Sequence, residues 1–144
     1  MPQELDTREL DNLTKSWDEL LRQFPEKKAT MLREMGNEIL SRVKQEIGGT
    51  GKVKSWQDLH FGSRGGYVAV RPKKETYQTT KSGRRYAVGY ITNAIEGGHK
   101  PRGNGPDIPG RHFYEHVRNR LDGMGDDNIQ ELMQFIVDGL EGRL

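Results

Sequence analysis

The chain has 144 residues, of which 32% are hydrophobic and 31% are charged, so a single domain with a lean core is the default expectation. It contains no cysteine, which excludes disulfides, a thiolate nucleophile and a cysteine zinc site. No apolar run approaches the roughly 18 residues of a membrane span, and the polar, acidic N-terminus predicts no secretory signal, so synthesis in the cytoplasm is expected.

Charge is distributed unevenly along the chain, although the net charge is only +2. Residues 1–50 carry 8 Lys/Arg and 10 Asp/Glu, residues 51–111 carry 12 and 4, and residues 112–144 carry 3 and 7. A basic middle between acidic ends fits either a nucleic-acid ligand or the acidic helices of a neighbouring subunit. Composition does not decide between them.

The N-terminal third predicts two amphipathic helices. Apolar residues recur at helical spacing from Thr7 to Phe24, and a second stripe runs from Glu26 to Ile47. Pro25 is expected to separate the two helices, because proline suits a first helical turn but not a helix interior. Gly48-Gly49 predicts the end of the second helix, and Gly36 within it indicates close packing.

The middle of the chain predicts β-structure. Residues 67–71 and 86–92 are rich in β-branched and aromatic side chains and are expected to pair as a hairpin, with Pro72–Arg85 as its long basic tip. Residues 53–61 fit either a third strand or a short helix.

The last third predicts a loop followed by two helices. Five glycines and three prolines make residues 97–110 a loop, because this composition suits neither a helix nor a central strand. Helices are expected over residues 113–121 and 129–140, the second with Asp126 or Asp127 as its N-cap. The predicted fold is therefore α+β: a small antiparallel or mixed sheet with a long basic hairpin, packed by N-terminal and C-terminal amphipathic helices. One domain is expected over residues 1–144, with residues 1–25 as a separately mobile helix.

Motifs for catalysis, cofactors or metals are weak. Gly51-Lys52 lacks the remaining residues of a phosphate-binding loop, with Glu46 and Val53 at the positions where that motif needs glycine and Ser or Thr. His112 and His116 lie one helical turn apart beside Glu115, but a metal needs a third ligand, so a surface pair is favoured. We therefore expect no enzymatic activity, no catalytic residue, no cofactor and no metal.

Three interpretations of the basic segment remain open. It could follow the phosphates of a nucleic acid, form a solvated arm whose charge prevents aggregation, or dock on the acidic helices of a neighbour. A basic patch alone is only the electrostatic part of a nucleic-acid site.

Three ordered segments carry a family resemblance: RGGYVAVRP (64–72), YAVGYITNAIEGGHKPR (86–102) and PGRHFYEHV (109–117). A strand ending in Glu96-Gly97-Gly98-His99, a Gly/Pro loop and a helix opened by Pro109-Gly110-Arg111-His112-Phe113 form its most specific part. In this order the segments, within residues 26–144, resemble the head–tail joining or tail-completion proteins of long-tailed bacteriophages (siphophages) and prophages.

The resemblance implies a small α/β or α+β subunit without enzymatic activity. Such a subunit forms a homo-oligomeric ring during virion assembly, commonly six-fold, and docks to connector and tail proteins. It implies a protein made in the bacterial host cytoplasm and located in the virion, with no membrane partner and with DNA contact as a secondary role. The alternative is a small basic nucleic-acid-binding module. The candidate subunit or partner contacts are Lys73, Lys74, Tyr77, Lys81, Arg84, Arg85, Glu96, His99, Lys100, Arg102 and Arg111.

Overall fold

A computed structural model describes residues 7–49, 51–101 and 103–144 and confirms the α+β class. The helices are α1 (Thr7–Ile47), α2 (Lys52–Ser55), α3 (Val88–Gly97), α4 (Phe113–Arg118) and α5 (Asp126–Leu140). The strands are β1 (Gln57–Phe61), β2 (Val68–Pro72), β3 (Tyr77–Thr79), β4 (Arg85–Ala87), β5 (Gly98–His99) and β6 (Ile108–Pro109). They pair as three separate antiparallel hairpins, β1–β2, β3–β4 and β5–β6.

Helix α1 continues through Pro25, so the predicted break between two helices is wrong. An internal proline removes one backbone hydrogen bond and costs about 3 kcal/mol. Helical stripes continue on both sides of it, and tertiary packing, shown by buried Leu20 before it and buried Val43 and Ile47 after it, outweighs that local cost. The helix ends at Ile47 as predicted, because Gly48 and Gly49 take left-handed φ values of 63° and 66°.

The predicted strand over residues 86–92 and its pairing with residues 67–71 are also wrong. Strand β4 ends at Ala87, and Val88 begins helix α3. Val88 and Thr92 are both fully buried, an arrangement that fits a strand face and a helix face equally well. Tyr90 distinguishes the two, because it would share that face in a strand but is 66% exposed here. Strand β2 instead pairs with β1, which occupies the segment left undecided between strand and helix.

The Gly/Pro segment differs from its prediction at its start. Glu96 and Gly97 belong to α3 rather than to a strand, and only Gly98 and His99 are extended. They pair with Ile108 and Pro109, so a two-residue ladder closes the loop.

The two C-terminal helices are present with different ends. Helix α4 stops at Arg118, and Leu121 packs on the hydrophobic core beyond the helix end. The N-cap of α5 is Gly125 with φ of 80°, whereas Asp126 and Asp127 lie in the first turn, so the predicted cap is wrong. The left-handed φ of Gly125 favours glycine over a larger capping residue, and a Cβ there would also lie 2.5 Å from Cε of Met35.

The described residues group into two compact units. The first, which we call the helix pair, is formed by residues 7–35 and 123–144. Its α1 and α5 segments meet where Leu20 lies against Gly139 and where the Ser16 hydroxyl donates to the Gly139 carbonyl at 2.9 Å.

The second unit is Gly36–Asp122, with a core of Val43, Ile47, Phe113 and Val117. The close packing predicted at Gly36 is confirmed, because a Cβ there would lie 2.9 Å from Cγ2 of Val68 and 3.0 Å from Cδ2 of Leu59.

Candidate partner-binding surface

Residues 73–87 form a short basic arm made of the turn after β2 and the β3–β4 hairpin. Its five cations are all exposed, and Glu75 is its only acidic residue; the cations are Lys73, Lys74, Lys81, Arg84 and Arg85. The strands pair Tyr77 with Ala87 and Thr79 with Arg85, so part of the segment Pro72–Arg85, which was predicted to be the tip of a longer hairpin, is itself paired.

The tip of the arm is closed by its own hydrogen bonds. The Thr80 amide donates to the Arg84 carbonyl at 2.8 Å, and the Gly83 amide donates to the Thr80 carbonyl at 2.9 Å. Gly83 has φ of 84°, which favours glycine. The turn is therefore stabilised without the Lys81 side chain, which is exposed to solvent.

Tyrosines support two of the arm's arginines. The Arg85 guanidinium carbon lies 4.3 Å from the centroid of the Tyr77 ring, a cation–π contact. Arg84 Nη1 donates to the Tyr86 hydroxyl at 3.4 Å, and the Tyr86 ring stacks on Tyr90 at 6.1 Å. These contacts order the side chains without neutralising their charge.

The arm's cations have no ion-pair partner among the described residues. Every described ion pair is formed by α1 residues or by residues after 111, for example Arg42 with Glu38 and Arg120 with Glu46. The arm therefore presents uncompensated positive charge to solvent.

Two of the candidate contact residues also have roles within the fold. The Glu96 carboxylate accepts the backbone amides of Tyr114 at 3.2 Å and Glu115 at 3.3 Å, and so caps the start of α4. Arg111 Nη2 donates to the carbonyl of Ile47 at 2.7 Å, at the end of α1. Through these bonds Glu96, near the end of α3, holds the start of α4, and Arg111, just before α4, holds the end of α1.

The same segment contains a crossing of two backbones, which we call the glycine crossing. A Cβ on Gly110 would lie 2.2 Å from the Glu96 carbonyl oxygen, and a Cβ on Gly98 would lie 2.7 Å from that of Ile108. The Arg111 and His112 amides donate across it to the carbonyls of Ile95 and Glu96. The motif of the family resemblance is thus the place where α3, α4 and the end of α1 are joined.

The rest of the candidate contacts lie in the loop after α3. His99 and Lys100 are exposed, and His99 Nδ1 lies 3.3 Å from the Ala94 carbonyl oxygen. Arg102 lies outside the described residues. Between described residues, no hydrogen bond or ion pair joins the arm's cations to Glu96, His99, Lys100 or Arg111, so the candidate residues form separate groups.

Sequence analysis missed two features of the surface. Arg71 and His60 line a pocket of about 370 Å³ beside Lys73 and Lys74. The available signal was an arginine directly before Pro-Lys-Lys at the end of a strand. His60 could not be assigned to it without the β1–β2 pairing.

The second missed feature is an exposed apolar stripe on each helix of the helix pair. Leu10, Trp17 and Leu21 follow one face of α1 and are between 46% and 73% exposed. On α5 the exposed stripe is Ile129, Met133, Val137 and Leu140. The periodicity that predicted these helices contained the stripes, but it could not show that they stay uncovered.

The described residues contain neither a metal-binding cluster nor a membrane-spanning helix. In residues 7–49, 51–101 and 103–144 no group of three or more His, Cys, Asp or Glu side chains is arranged to hold a metal ion. His112 and His116 instead face Glu115 and Glu46, respectively, at 3.2 and 2.9 Å. Over the same ranges, no helix combines the length and apolar character needed to cross a bilayer.

Comparison with known protein families, with curated proteins and with solved structures gave no match to this chain.

Proposed function

We propose that this protein is a non-enzymatic virion assembly subunit of a long-tailed bacteriophage or prophage, which completes the tail or joins it to the head. In this proposal copies associate head to tail into a ring, commonly six-fold, and the ring docks to connector and tail proteins. The helix pair of one copy contacts the basic arm of the next.

The observation that carries the assembly part is the uncovered apolar surface of the helix pair. Of its hydrophobic side chains, Leu20 is the one that is buried among the described residues, at 9% exposure. Two helices alone cannot enclose a core, and apolar stripes of this extent on a surface typically mark an interface. A further element is needed to cover Leu21 and Met133, which are 73% and 59% exposed.

Charge complementarity supports the basic arm as that element. Residues 1–35 and 123–144 carry 7 Lys/Arg and 13 Asp/Glu, whereas residues 36–122 carry 16 and 8. The two units thus carry net charges of opposite sign. The arm also offers exposed Tyr77 and the aliphatic stems of its lysines as apolar contact area. Contacts between unlike faces generate rings when the rotation closes.

The virion setting rests on the sequence resemblance. In residues 86–117 the segments keep the order of the tail-completion family, and the structure gives their glycines and charged residues a joint role at the glycine crossing.

The test is the mass of the full chain by sedimentation velocity, over rising protein concentration and with connector and tail-tube proteins added. We expect association that weakens with salt and that is lost in Met133→Glu. Gln130→Glu is the matched control: it adds the same charge to the same helix at an exposed polar position and should associate like the wild type. A chain that stays monomeric with every partner would overturn the proposal, as would equal behaviour of the two variants.

A second candidate function, nucleic-acid binding, is favoured by one observation: the arm combines five unpaired cations with an exposed tyrosine. Cations beside an aromatic ring can contact phosphates while a base stacks. The function predicts binding to duplex or single-stranded DNA that weakens steeply with salt and is lost when Lys73, Lys74, Arg84 and Arg85 become Ala. A flat fluorescence-anisotropy titration at low salt would remove it.

A further inference from the structure

The pocket at the end of the β1–β2 hairpin is built mainly from basic side chains. Its volume is about 370 Å³, within the size range of small-molecule sites. Strand β1 contributes one wall, and the end of β2 with the turn that begins the basic arm contributes the other. The polar lining is Asp58, His60, Arg71, Lys73, Lys74 and Thr76.

Arg71 lacks a partner that its position demands. Its Nη2 is buried and has no hydrogen-bond acceptor among the described residues. Asp58 stands opposite Arg71 in the strand register, yet the two form no ion pair, and Asp58 Oδ1 accepts the Leu59 amide at 2.9 Å instead. A buried charged donor without an acceptor is costly. Arg71 as a whole is only half-buried and lines the pocket, so its guanidinium charge, unmatched inside the chain, favours an anionic group there.

The surrounding charge is positive as well. Lys73 and Lys74 are exposed and have no ion pair within the described part of the chain, and Asp58 is the single carboxylate in the lining. Desolvation, together with the charges of Arg71 and Lys74, lowers the pKa of His60 below its usual 6.5. The imidazole therefore favours its neutral form, and the pocket owes its excess of positive charge to Arg71, Lys73 and Lys74 against the single carboxylate of Asp58.

We propose that this pocket binds an oxyanion group, a phosphate or a carboxylate, through Arg71, Lys73 and Lys74. A guanidinium fork matches the geometry of both groups, and the two ammonium groups supply further charge-assisted hydrogen bonds. The volume leaves room for more than the oxyanion itself, so the group would be part of a larger ligand. The proposal does not rest on ring assembly, because it concerns residues of one unit of one copy.

The experiment is a calorimetric titration of the full chain with inorganic phosphate and, separately, with malonate, at constant ionic strength in chloride. We expect saturable binding of one anion per chain. Lys74→Met should weaken it at least tenfold, as should Arg71→Met, because each removes a charge-assisted hydrogen bond. Lys81→Met removes the same charge at the tip of the arm, outside the pocket, and should change the affinity less than twofold.

A second readout reports on the pocket directly. A bound anion offsets the positive field of Arg71 and Lys74, so the pKa of His60 measured by NMR should rise when phosphate or malonate saturates the site. Lys74 is exposed, so Lys74→Met remains informative even where Arg71→Met fails to fold.

The outcomes separate cleanly. A preference for phosphate assigns a phosphate-bearing ligand, and a preference for malonate assigns a carboxylate; either supports the site. No saturable binding of either anion would overturn it. Equal weakening by Lys74→Met and Lys81→Met would also overturn it, because general electrostatic attraction would then suffice.

Discussion

Replacing Gly110 with alanine should strongly destabilise the second unit. The added Cβ would lie 2.2 Å from the Glu96 carbonyl oxygen, 2.7 Å from the Gly97 carbonyl carbon and 2.8 Å from the Gly98 nitrogen. All three are backbone atoms, so no side-chain rotation can relieve the clash. To reach even 3.0 Å from the Glu96 oxygen, the two backbones must separate by about 0.8 Å.

The magnitude follows from what that separation disturbs. Forcing an extra carbon into a packed site costs about 1–3 kcal/mol. The movement also weakens the Glu96 cap on α4, worth about 0.5–2 kcal/mol, and the Arg111 bond to the end of α1. We therefore expect the free energy of unfolding to fall by about 3 kcal/mol or more.

The matched control is Gly97→Ala, one residue from the same crossing. Gly97 ends helix α3, has no atom within 4 Å of an added Cβ and has no positive φ. Alanine there should be neutral or stabilise by up to about 1 kcal/mol, because it restricts the unfolded chain.

Urea unfolding followed by Trp56 fluorescence measures the difference. Trp56 is buried in the second unit, and a Trp17→Phe background removes the other of the two tryptophans. A Gly110→Ala variant within 0.5 kcal/mol of its parent would refute the reasoning, since about 1 kcal/mol is the least that such overpacking should cost. Equal losses for Gly110→Ala and Gly97→Ala would refute it too.

Three further predictions concern polar side chains. Ser16→Ala removes a fully buried hydroxyl that donates to the Gly139 carbonyl, and should lower the free energy of unfolding of the helix pair by about 1–3 kcal/mol. Urea melts read by Trp17 fluorescence measure this loss, and the exposed control Thr14→Ala should not show it. Tyr114→Phe leaves buried Gln57 Oε1 without its donor and should cost about 1–3 kcal/mol by the Trp56 assay, against almost nothing for exposed Tyr90→Phe. The pKa of His60 is lowered in the folded state, so on acidification the unfolded state takes up the proton first. The free energy of unfolding should therefore fall as the pH drops through about 6.5. Urea melts at several pH values should show a smaller fall for His60→Gln than for the wild type.

Elements whose hydrophobic periodicity fits only one type of secondary structure were predictable from sequence. The stripes of α1 and α5 and the stop at Gly48-Gly49 needed only local rules, and the structure contains them. Residues 88–92 were not predictable in this way, because Val88 and Thr92 share a face in both a strand and a helix. Their state is decided by burial against Gln57, whose side chain reaches Thr92 Oγ1 at 3.4 Å from 35 residues away.

At Pro25, in contrast, the local rule for proline led to a wrong prediction. The local rule for proline is correct in sign, but a penalty of about 3 kcal/mol is small beside the packing of a 41-residue helix. Of the candidate surface, the exposure of the arm's lysines and arginines followed from their charge. The hydrogen bonds of Glu96 and Arg111 within the fold could not be predicted, because they depend on carbonyls and amides brought together from distant helix ends.

The glycine crossing and the basic surface make separate demands on the sequence. The crossing needs Gly98 and Gly110, because only a residue without a Cβ lets the two backbones come this close. The arm and the pocket beside it contain neither glycine, so substitutions among their charged side chains can change what the protein binds while the junction of the three helices stays intact.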